Sequence, residues 1–262
     1  MNILVCIKQV PASSKVEVDP MTGVIKRDGA ACKMNPYDLY ALETAFRLRE
    51  KLGGHVDVIS MGPPQAMAVI REAFAMGADN GFLLSDRAFG GADVLATSYT
   101  ISQGIRKAGN YDLILCGKQT TDGDTAQVGS EISEWLQIPS VANVREIKDA
   151  DSESITVSMD LPDEIEVARV QLPCLLAVDK DIFMPRLPSY VKKVASKDRE
   201  IKVFSLKDMN DTDPHHYGLN GSPTQVQRIF PPDTSSDKEI WNGSGEILAG
   251  RLCSKIAELK FI

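Results

Sequence analysis

Short apolar runs alternate with stretches of helical periodicity through the first part of the chain. Residues 2–7 and 111–116 are continuous apolar runs, the pattern of central parallel strands covered on both faces. Residues 55–61 and 81–84 are two further predicted strands, and amphipathic stretches separate the four strands. Strands separated by helices of this length predict an α/β fold with a doubly wound, mostly parallel sheet.

Two hairpins and a C-terminal arm are predicted around this sheet. Residues 16–27 alternate on either side of a turn, and residues 154–170 form a second pair of alternating segments. After Phe204 the chain is polar and rich in turn residues, so it is too poor in apolar side chains to build a core of its own. We therefore expect a main domain over residues 1–205 and an arm over residues 206–262, which ends in an amphipathic helix.

One loop joins the carboxyl end of the strand over residues 111–116 to the amino end of the next helix. Asp124 followed by Gln127 fits a variant of the capping box. The unpaired N–H groups and the positive end of the helix dipole make such a turn suited to phosphate, and Gly123 would let an anion approach the backbone. A turn that merely caps its own helix explains the same pattern. The loop matches neither a dinucleotide fingerprint nor a P-loop.

Composition and charge narrow the class of protein. The formal net charge of −7 argues against nucleic acid as a default partner. No apolar stretch approaches the roughly 20 residues that span a bilayer, and no leader sequence precedes the first strand. The cysteines are scattered singly, which favours reduced thiols in a cytoplasmic protein over a disulfide scaffold or a zinc site. The five cysteines are Cys6, Cys32, Cys116, Cys174 and Cys253.

Side chains for acid–base chemistry are few. The chain has three histidines, His55, His215 and His216, and neither a nucleophile elbow nor a zinc-protease helix. We predict no catalytic residue and no metal site. A protein of this composition is expected to bind a cofactor that performs the chemistry itself.

Several short motifs occur in a fixed order between residue 1 and about residue 205. They are Asn35-Pro36-Tyr37-Asp38, Met76-Gly77-Ala78-Asp79, Leu115-Cys116-Gly117-Lys118-Gln119, the run from Asp122 to Gly129, and Leu172-Pro173 leading to Pro185-Arg186. Together they resemble the beta subunit of electron-transferring flavoproteins. The resemblance implies an adenine-nucleotide-binding, Rossmann-like fold that forms a heterodimer with an alpha subunit holding an FAD.

The resemblance also implies a nucleotide site in this chain. The loop after residue 116 would bind the phosphates, and residues at other strand ends would surround the same nucleotide. The implied cofactor-binding residues are Cys6, Asn35, Pro36, Tyr37, Asp38, Met61, Gly117, Lys118, Gln119, Thr120, Thr121, Asp122, Gly123, Asp124, Thr125, Ala126, Gln127 and Val128.

Family members differ in what fills this site. Some hold AMP as a structural element, whereas electron-bifurcating members hold a second FAD that accepts electrons from NADH. Gly123 and the small pair Thr125-Ala126 resemble the FAD-binding form of the loop. The resemblance then implies electron transfer toward an acyl-CoA dehydrogenase or reductase-type enzyme and a low-potential carrier such as ferredoxin or flavodoxin. A non-bifurcating subunit with structural AMP is the alternative.

Residues 184–202 correspond to the family's recognition loop for partner dehydrogenases. Tyr190 stands where an apolar side chain would insert into the partner, and the C-terminal helix would pack against the alpha subunit. A solvated basic loop is the simpler reading of the same residues. The implied docking residues are Pro185, Arg186, Tyr190, Lys192 and Lys193.

Two other nucleotide-binding classes share the predicted layout. An ATP-binding module of the stress-protein type needs a G-x-x-G loop with a downstream Gly-Ser, which does not follow the strand over residues 111–116. An ATP-pyrophosphatase or amidotransferase needs a Ser-Gly-Gly-containing loop after the first strand, where Lys8-Gln9-Val10-Pro11 stands instead.

Overall fold

The computed structural model describes residues 1–12, 31–227 and 238–261. It divides the chain into two compact units, Met1–Gln227 and Arg228–Ile262. The boundary expected near residue 205 therefore falls inside the first unit. The hairpin predicted over residues 16–27 lies outside the described residues.

Nine strands of the described chain form one sheet, and two short strands form a separate antiparallel pair. The strands are β1 (Asn2–Cys6), β2 (Gln9–Pro11), β3 (Cys32–Met34), β4 (His55–Met61), β5 (Asn80–Leu84), β6 (Leu113–Gly117), β7 (Ser140–Ala150), β8 (Ser154–Asp160), β9 (Ile165–Gln171), β10 (Cys174–Val178) and β11 (Lys202–Phe204). The order in the large sheet is β11-β5-β4-β1-β6-β10-β7-β8-β9, and β2 pairs with β3. The strands from β11 to β7 run parallel, and β8 and β9 are antiparallel additions. This confirms the predicted α/β fold and the second hairpin.

Helices cover both faces of the parallel strands. They are α1 (Pro36–Leu52), α2 (Met67–Met76), α3 (Val94–Ala108) and α4 (Val128–Leu136), with the short α5 (Tyr190–Ala195) after the sheet and α6 (Gly245–Glu258) in the second unit. Ile3 and Val5 pack in the core that contains Phe46 of α1, while Leu4 packs in the core that contains Ile132 of α4. These three central residues of β1 are fully buried. Burial of successive side chains on opposite faces explains the continuous apolar run.

The strand order reverses at β1. From β1 the chain proceeds to β4 and β5 on one side, and it then returns to place β6 against the other side of β1. In open α/β sheets ligands bind outside the carboxyl ends of the strands at such a reversal. The expected site therefore lies where β1 and β6 end.

Several elements of the first unit were not predicted, including the short antiparallel pair β2 and β3. β7 is an 11-residue strand with two register shifts against β8, and these shifts break its alternation of apolar and polar residues. β11 adds a three-residue strand to the edge beside β5, and α5 forms within the predicted recognition loop.

Residues 205–227, which follow β11, are packed within the first unit. Tyr217 is fully buried, and its ring lies 5.4 Å from the rings of both Phe89 and Tyr99. Met209 and Ser222 are buried as well. A segment with few apolar residues is thus ordered by the core that the α/β elements provide.

The second unit contains the predicted C-terminal helix, α6. Lys255 of this helix pairs with Glu239 at 3.1 Å, and Arg251 lies over the ring of Trp241 at 4.8 Å. Across the described parts of both units, every helix is too short or too polar to cross a lipid bilayer.

Candidate nucleotide site

A buried asparagine joins the start of α1 to the loop that follows β6. Asn35 immediately precedes α1 and is fully buried. Its Nδ2 atom donates to Oδ1 of Asp38 and to the carbonyl oxygen of Gln119, both at 2.9 Å. Its Oδ1 atom accepts from the N–H group of Thr121 at 3.3 Å. The side chain therefore satisfies its polar atoms by fixing the loop against the first turn of the helix.

Asp38 connects the ends of three elements. Its Oδ2 atom accepts from the N–H group of Lys8 at 2.7 Å, directly beyond β1. Burial raises the pKa of Asp38 to about 7, against the opposing effect of hydrogen bonds from Asn35 and from the N–H groups of Lys8 and Gly117. A carboxyl group that changes charge near neutral pH thus lies beneath the loop.

Gly117 is required by this close packing. A Cβ atom at this position would lie 2.6 Å from Oδ1 of Asp38 and 2.6 Å from Cβ of Tyr37. Real Cβ atoms do not approach other heavy atoms so closely, so any side chain here would displace α1 from β6. The glycine is needed for the contact between strand and helix.

Charged side chains hold both ends of the loop. The N–H group of Lys118 donates to the carbonyl oxygen of Val178 at 2.8 Å, and its Nζ atom contacts Asp179 at 2.8 Å. Nζ of Lys8 contacts Asp122 at 2.9 Å. Burial opposes ionisation of Asp122, but hydrogen bonds from Lys8 and from Thr120 hold its pKa below the usual range. Asp122 is therefore a carboxylate at neutral pH.

The predicted capping box in this loop is wrong. α4 begins at Val128, and Gln127 before it makes no side-chain capping hydrogen bond. Asp124 and Ala126 have left-handed backbone conformations, with φ of 53° and 56°. These two residues turn the chain so that the helix cannot begin directly after Asp124. Residues 121–127 are exposed, so the helix amino end is not covered by the side chain expected there.

The remaining predicted cofactor-binding residues lie along the same edge of the sheet. Cys6 is the register partner of Cys116 at the ends of β1 and β6. The hydrogen bond with Cys6, together with burial, raises the pKa of the Cys116 thiol. Met61 ends β4 on the other side of β1, and Pro36 and Tyr37 form the first turn of α1. The fold thus brings together residues that the sequence separates widely.

The predicted set of site residues omits Lys8, whose side chain crosses to the loop. Its position directly beyond the first buried strand was the available signal, because ligands of open α/β sheets bind at strand carboxyl ends. No spacing rule predicts its pairing with Asp122, because more than a hundred residues separate the two.

Some of the predicted docking residues are exposed to solvent, whereas others contact the rest of the first unit. The ring of Tyr190 is 80% exposed, and Lys193 is exposed beside it on α5. By contrast, the guanidinium group of Arg186 contacts Glu43, and Nζ of Lys192 donates to the carbonyl oxygen of Met76 at 3.2 Å. Pro185 is half-buried.

Comparison with known proteins identifies the family. The model for the electron transfer flavoprotein domain matches residues 22–209. The chain belongs to the electron transfer flavoprotein family, as a beta subunit. The predicted resemblance is confirmed.

Curated relatives of this beta subunit match it over the whole chain or nearly so. It is 44% identical to the electron transfer flavoprotein subunit beta of Clostridium acetobutylicum, over 100% of both chains. It is 45% identical to the caffeyl-CoA reductase-Etf complex subunit CarD of Acetobacterium woodii, again over 100% of both chains. It is 39% identical to the protein FixA of Azorhizobium caulinodans, over 91% of this chain and 87% of that protein.

Proposed function

We propose that this beta subunit binds FAD at the carboxyl ends of β1 and β6 and works as a heterodimer with an alpha subunit. The complex accepts electrons from NADH in the cytoplasm. It sends them along two routes, toward an acyl-CoA dehydrogenase or reductase-type enzyme and toward ferredoxin or flavodoxin. The supporting observation is the exposed loop over residues 121–127, fixed at the strand reversal by the buried side chains of Asn35 and Asp38.

The loop has the chemistry that a pyrophosphate group requires. A Cβ atom at Gly123 would find its nearest neighbour, Oγ1 of Thr120, at 3.9 Å, so the backbone there is open on the side-chain face. The amino end of α4 contributes a positive dipole, and Lys8 and Lys118 contribute charge. Bound FAD would supply the electron acceptor, while these groups of the chain bind and orient it.

Small side chains favour FAD over AMP in this proposal. Gly123, Thr125 and Ala126 add little bulk to the exposed part of the loop. A non-bifurcating subunit in which the same loop holds the single phosphate of AMP is the alternative. The relative named as a subunit of a caffeyl-CoA reductase-Etf complex supports an acyl-CoA-type partner, and it also supports assembly with other subunits.

Residues 184–194 form the proposed docking strip for the dehydrogenase. Tyr190 is its central aromatic residue, and a large exposed aromatic side chain is the usual hot spot of a transient interface. The C-terminal helix α6 is proposed to bind the alpha subunit.

Nucleotide analysis of the heterodimer tests the cofactor proposal. The chain is co-expressed with its alpha subunit, and the bound nucleotides are released by denaturation and identified. Two FAD per heterodimer support the bifurcating form, whereas one FAD with one AMP supports the alternative. Absence of flavin from the heterodimer would overturn the proposal.

Substitution of one exposed side chain tests the docking strip separately. Tyr190→Ala should raise the KM of an acyl-CoA dehydrogenase for the heterodimer by about tenfold or more, the loss typical of a hot-spot aromatic residue. Flavin content should be unchanged, because Tyr190 is 80% exposed on α5, and α5 packs against α2. Loss of flavin in this variant would show that the docking strip has been misplaced.

A further inference from the structure

The proposed docking strip is apolar and exposed, yet its backbone is fixed. A segment that becomes ordered only on binding loses conformational entropy, which weakens the complex. An interface therefore benefits when its backbone is fixed beforehand. The exposed apolar residues of the strip are Met184 (84%), Leu187 (86%), Tyr190 (80%), Val191 (76%) and Val194 (56%).

Arg186 fixes the amino-terminal half of the strip to α1. Its Nε and Nη2 atoms donate to the two carboxylate oxygens of Glu43, at 2.7 and 3.1 Å. Its backbone N–H group donates to Oε2 of the same carboxylate at 3.1 Å, and its Nη1 atom donates to Glu50 at 2.7 Å. The guanidinium group also lies over the ring of Phe46 at 4.9 Å.

Glu43, the partner of Arg186, is a buried residue of α1. It is 2% exposed and shares its Oε1 atom with Arg47 at 2.9 Å. Burial opposes its ionisation, but the hydrogen bonds from Arg186 and Arg47 hold the pKa of Glu43 below the usual range. A buried carboxylate with bidentate arginine geometry gives both strength and a defined orientation.

The carboxyl-terminal half of the strip is fixed to the end of α2. The N–H group of Ser189 donates to the carbonyl oxygen of Ala75 at 2.8 Å, and Nζ of Lys192 donates to the next carbonyl at 3.2 Å. Beyond the strip, Nη1 of Arg199 donates to the carbonyl oxygen of Ala78 at 2.6 Å. Cations are favoured at a helix carboxyl end, where carbonyl groups lack helical partners.

We propose that Arg186 is a positioning residue, which holds the apolar strip in the arrangement that the partner binds without contacting the partner itself. The proposal rests on the docking function proposed above. The guanidinium group contacts α1, and the Arg186 side chain as a whole is 27% exposed, whereas the apolar side chains around it face solvent. Arg186 thus lowers the cost of binding and leaves the contact to its neighbours.

The decisive variant leaves Arg186 in place. Glu43→Gln keeps the shape of the side chain and the charge of Arg186, but it removes the charge that holds the guanidinium group. If Arg186 acts by positioning, Glu43→Gln and Arg186→Gln should each raise the KM of the dehydrogenase for the heterodimer by about tenfold, with kcat at saturation unchanged. The double variant should do no more than Arg186→Gln alone, because that substitution already removes the contact with Glu43.

Hydrogen exchange gives a readout that does not depend on electron transfer. Amide exchange over residues 184–191 should become faster in both single variants, while exchange in β1 and β6 and the flavin content stay the same. Lys51→Gln is the matched control, since Lys51 also projects from α1 but pairs with Asp149 at 3.0 Å, away from the strip. This control should change neither KM nor exchange.

The outcomes separate this inference from the docking proposal. An unchanged KM in Tyr190→Ala would overturn the docking strip itself. A raised KM in Tyr190→Ala and in Arg186→Gln, with an unchanged KM in Glu43→Gln, would show that Arg186 contacts the partner directly and would overturn positioning.

If the Glu43 and Arg186 variants do not fold, Glu50→Gln removes only the Nη1 contact and should raise exchange and KM by a smaller factor. No rise in either quantity would overturn the inference.

Discussion

The Nζ atom of Lys8 lies 2.9 Å from Oδ1 of Asp122 and so bridges the ends of two neighbouring strands. Lys8 follows β1, and Asp122 lies in the loop after β6. The backbone of Lys8 is fixed, because its N–H group donates to Asp38 and its carbonyl oxygen accepts from the N–H group of Asn35 at 2.9 Å. The pyrophosphate group of a nucleotide at this loop would be repelled by the negative charge of Asp122. Lys8 is the cation placed to neutralise that charge.

Lys8→Met should therefore weaken nucleotide binding. We expect the Kd of the nucleotide-stripped heterodimer for FAD to rise about tenfold, which is about 1.4 kcal/mol and typical of one charge-assisted contact. The dependence of Kd on ionic strength should also become shallower, since one positive charge has been removed. Titration at several salt concentrations measures both effects.

Lys148→Met is the control for this substitution. Lys148 contacts Glu146 at 2.9 Å on strand β7, away from the loop, so its removal should leave Kd unchanged. Neither variant should lose more than about 1 kcal/mol of stability, because partly exposed ion pairs contribute little to folding. Equal losses of affinity in the two variants would contradict a specific role for Lys8.

Two glycines of the loop should respond differently to alanine. Gly117→Ala places a Cβ atom 2.6 Å from Asp38 and from Tyr37, so it should destabilise the fold by about 1–3 kcal/mol. Gly123→Ala meets nothing closer than 3.9 Å, so the fold should tolerate it. If a pyrophosphate group approaches the backbone at Gly123, the second variant should lose FAD affinity while its thermal midpoint stays within about 2 °C of the parent.

Thermal unfolding and FAD titration on the same preparations separate these effects. Unchanged FAD affinity in Gly123→Ala would place the phosphates elsewhere on the loop. An unchanged midpoint in Gly117→Ala would mean that α1 moves away from β6 without cost.

The central strands around the site could be predicted because they are buried on both faces, and the helices because each packs one side against the sheet. β1 and β6 are short apolar runs, and buried residues recur along α1 to α4. The edge elements carry no such signal. β11 is three residues long with Val203 45% exposed, and α5 has no buried residue. The apolar pattern of these two elements therefore does not distinguish them from a loop.

The contacts that form the site could not be predicted from spacing. Asn35 and Gln119, or Arg186 and Glu43, meet only because the sheet order brings distant segments together. The resemblance named the nucleotide-site residues without giving their partners. The capping box failed for a local reason, because left-handed backbone at Ala126 is rare for a residue with a Cβ atom and is not indicated by the sequence.

The raised pKa of Asp38 predicts an unusual pH dependence of stability. Its pKa is about 7 in the folded chain and near 3.8 when unfolded, so the native state holds the extra proton between these values. Stability should therefore fall as pH rises from about 4 to 7, by on the order of 2–4 kcal/mol from this group. Asp38→Asn should remove this component.

Urea unfolding of the nucleotide-stripped heterodimer between pH 5 and pH 8 measures the contribution of Asp38 to the pH dependence of stability. The parent should lose stability relative to Asp38→Asn as the pH increases over this range. Parallel curves for the two proteins would show that Asp38 is ionised throughout and that its burial is compensated by the N–H groups around it.

Tyr217 should contribute to stability although it lies in a turn-rich segment beyond the last strand. Its ring is fully buried between Phe89 and Tyr99, and its hydroxyl group donates to the carbonyl oxygen of Asp211 at 2.6 Å. Tyr217→Ala should lower the free energy of unfolding by about 3–5 kcal/mol, as for other large buried aromatic residues. Tyr217→Phe keeps the ring and should cost only about 1 kcal/mol for the hydrogen bond.

Tyr190→Ala, which removes a tyrosine that is 80% exposed, is the matched control and should change stability by less than about 0.5 kcal/mol. Urea unfolding of the heterodimer compares the three variants, and equal effects of the two alanine substitutions would mean that residues 206–227 are not part of the folded core.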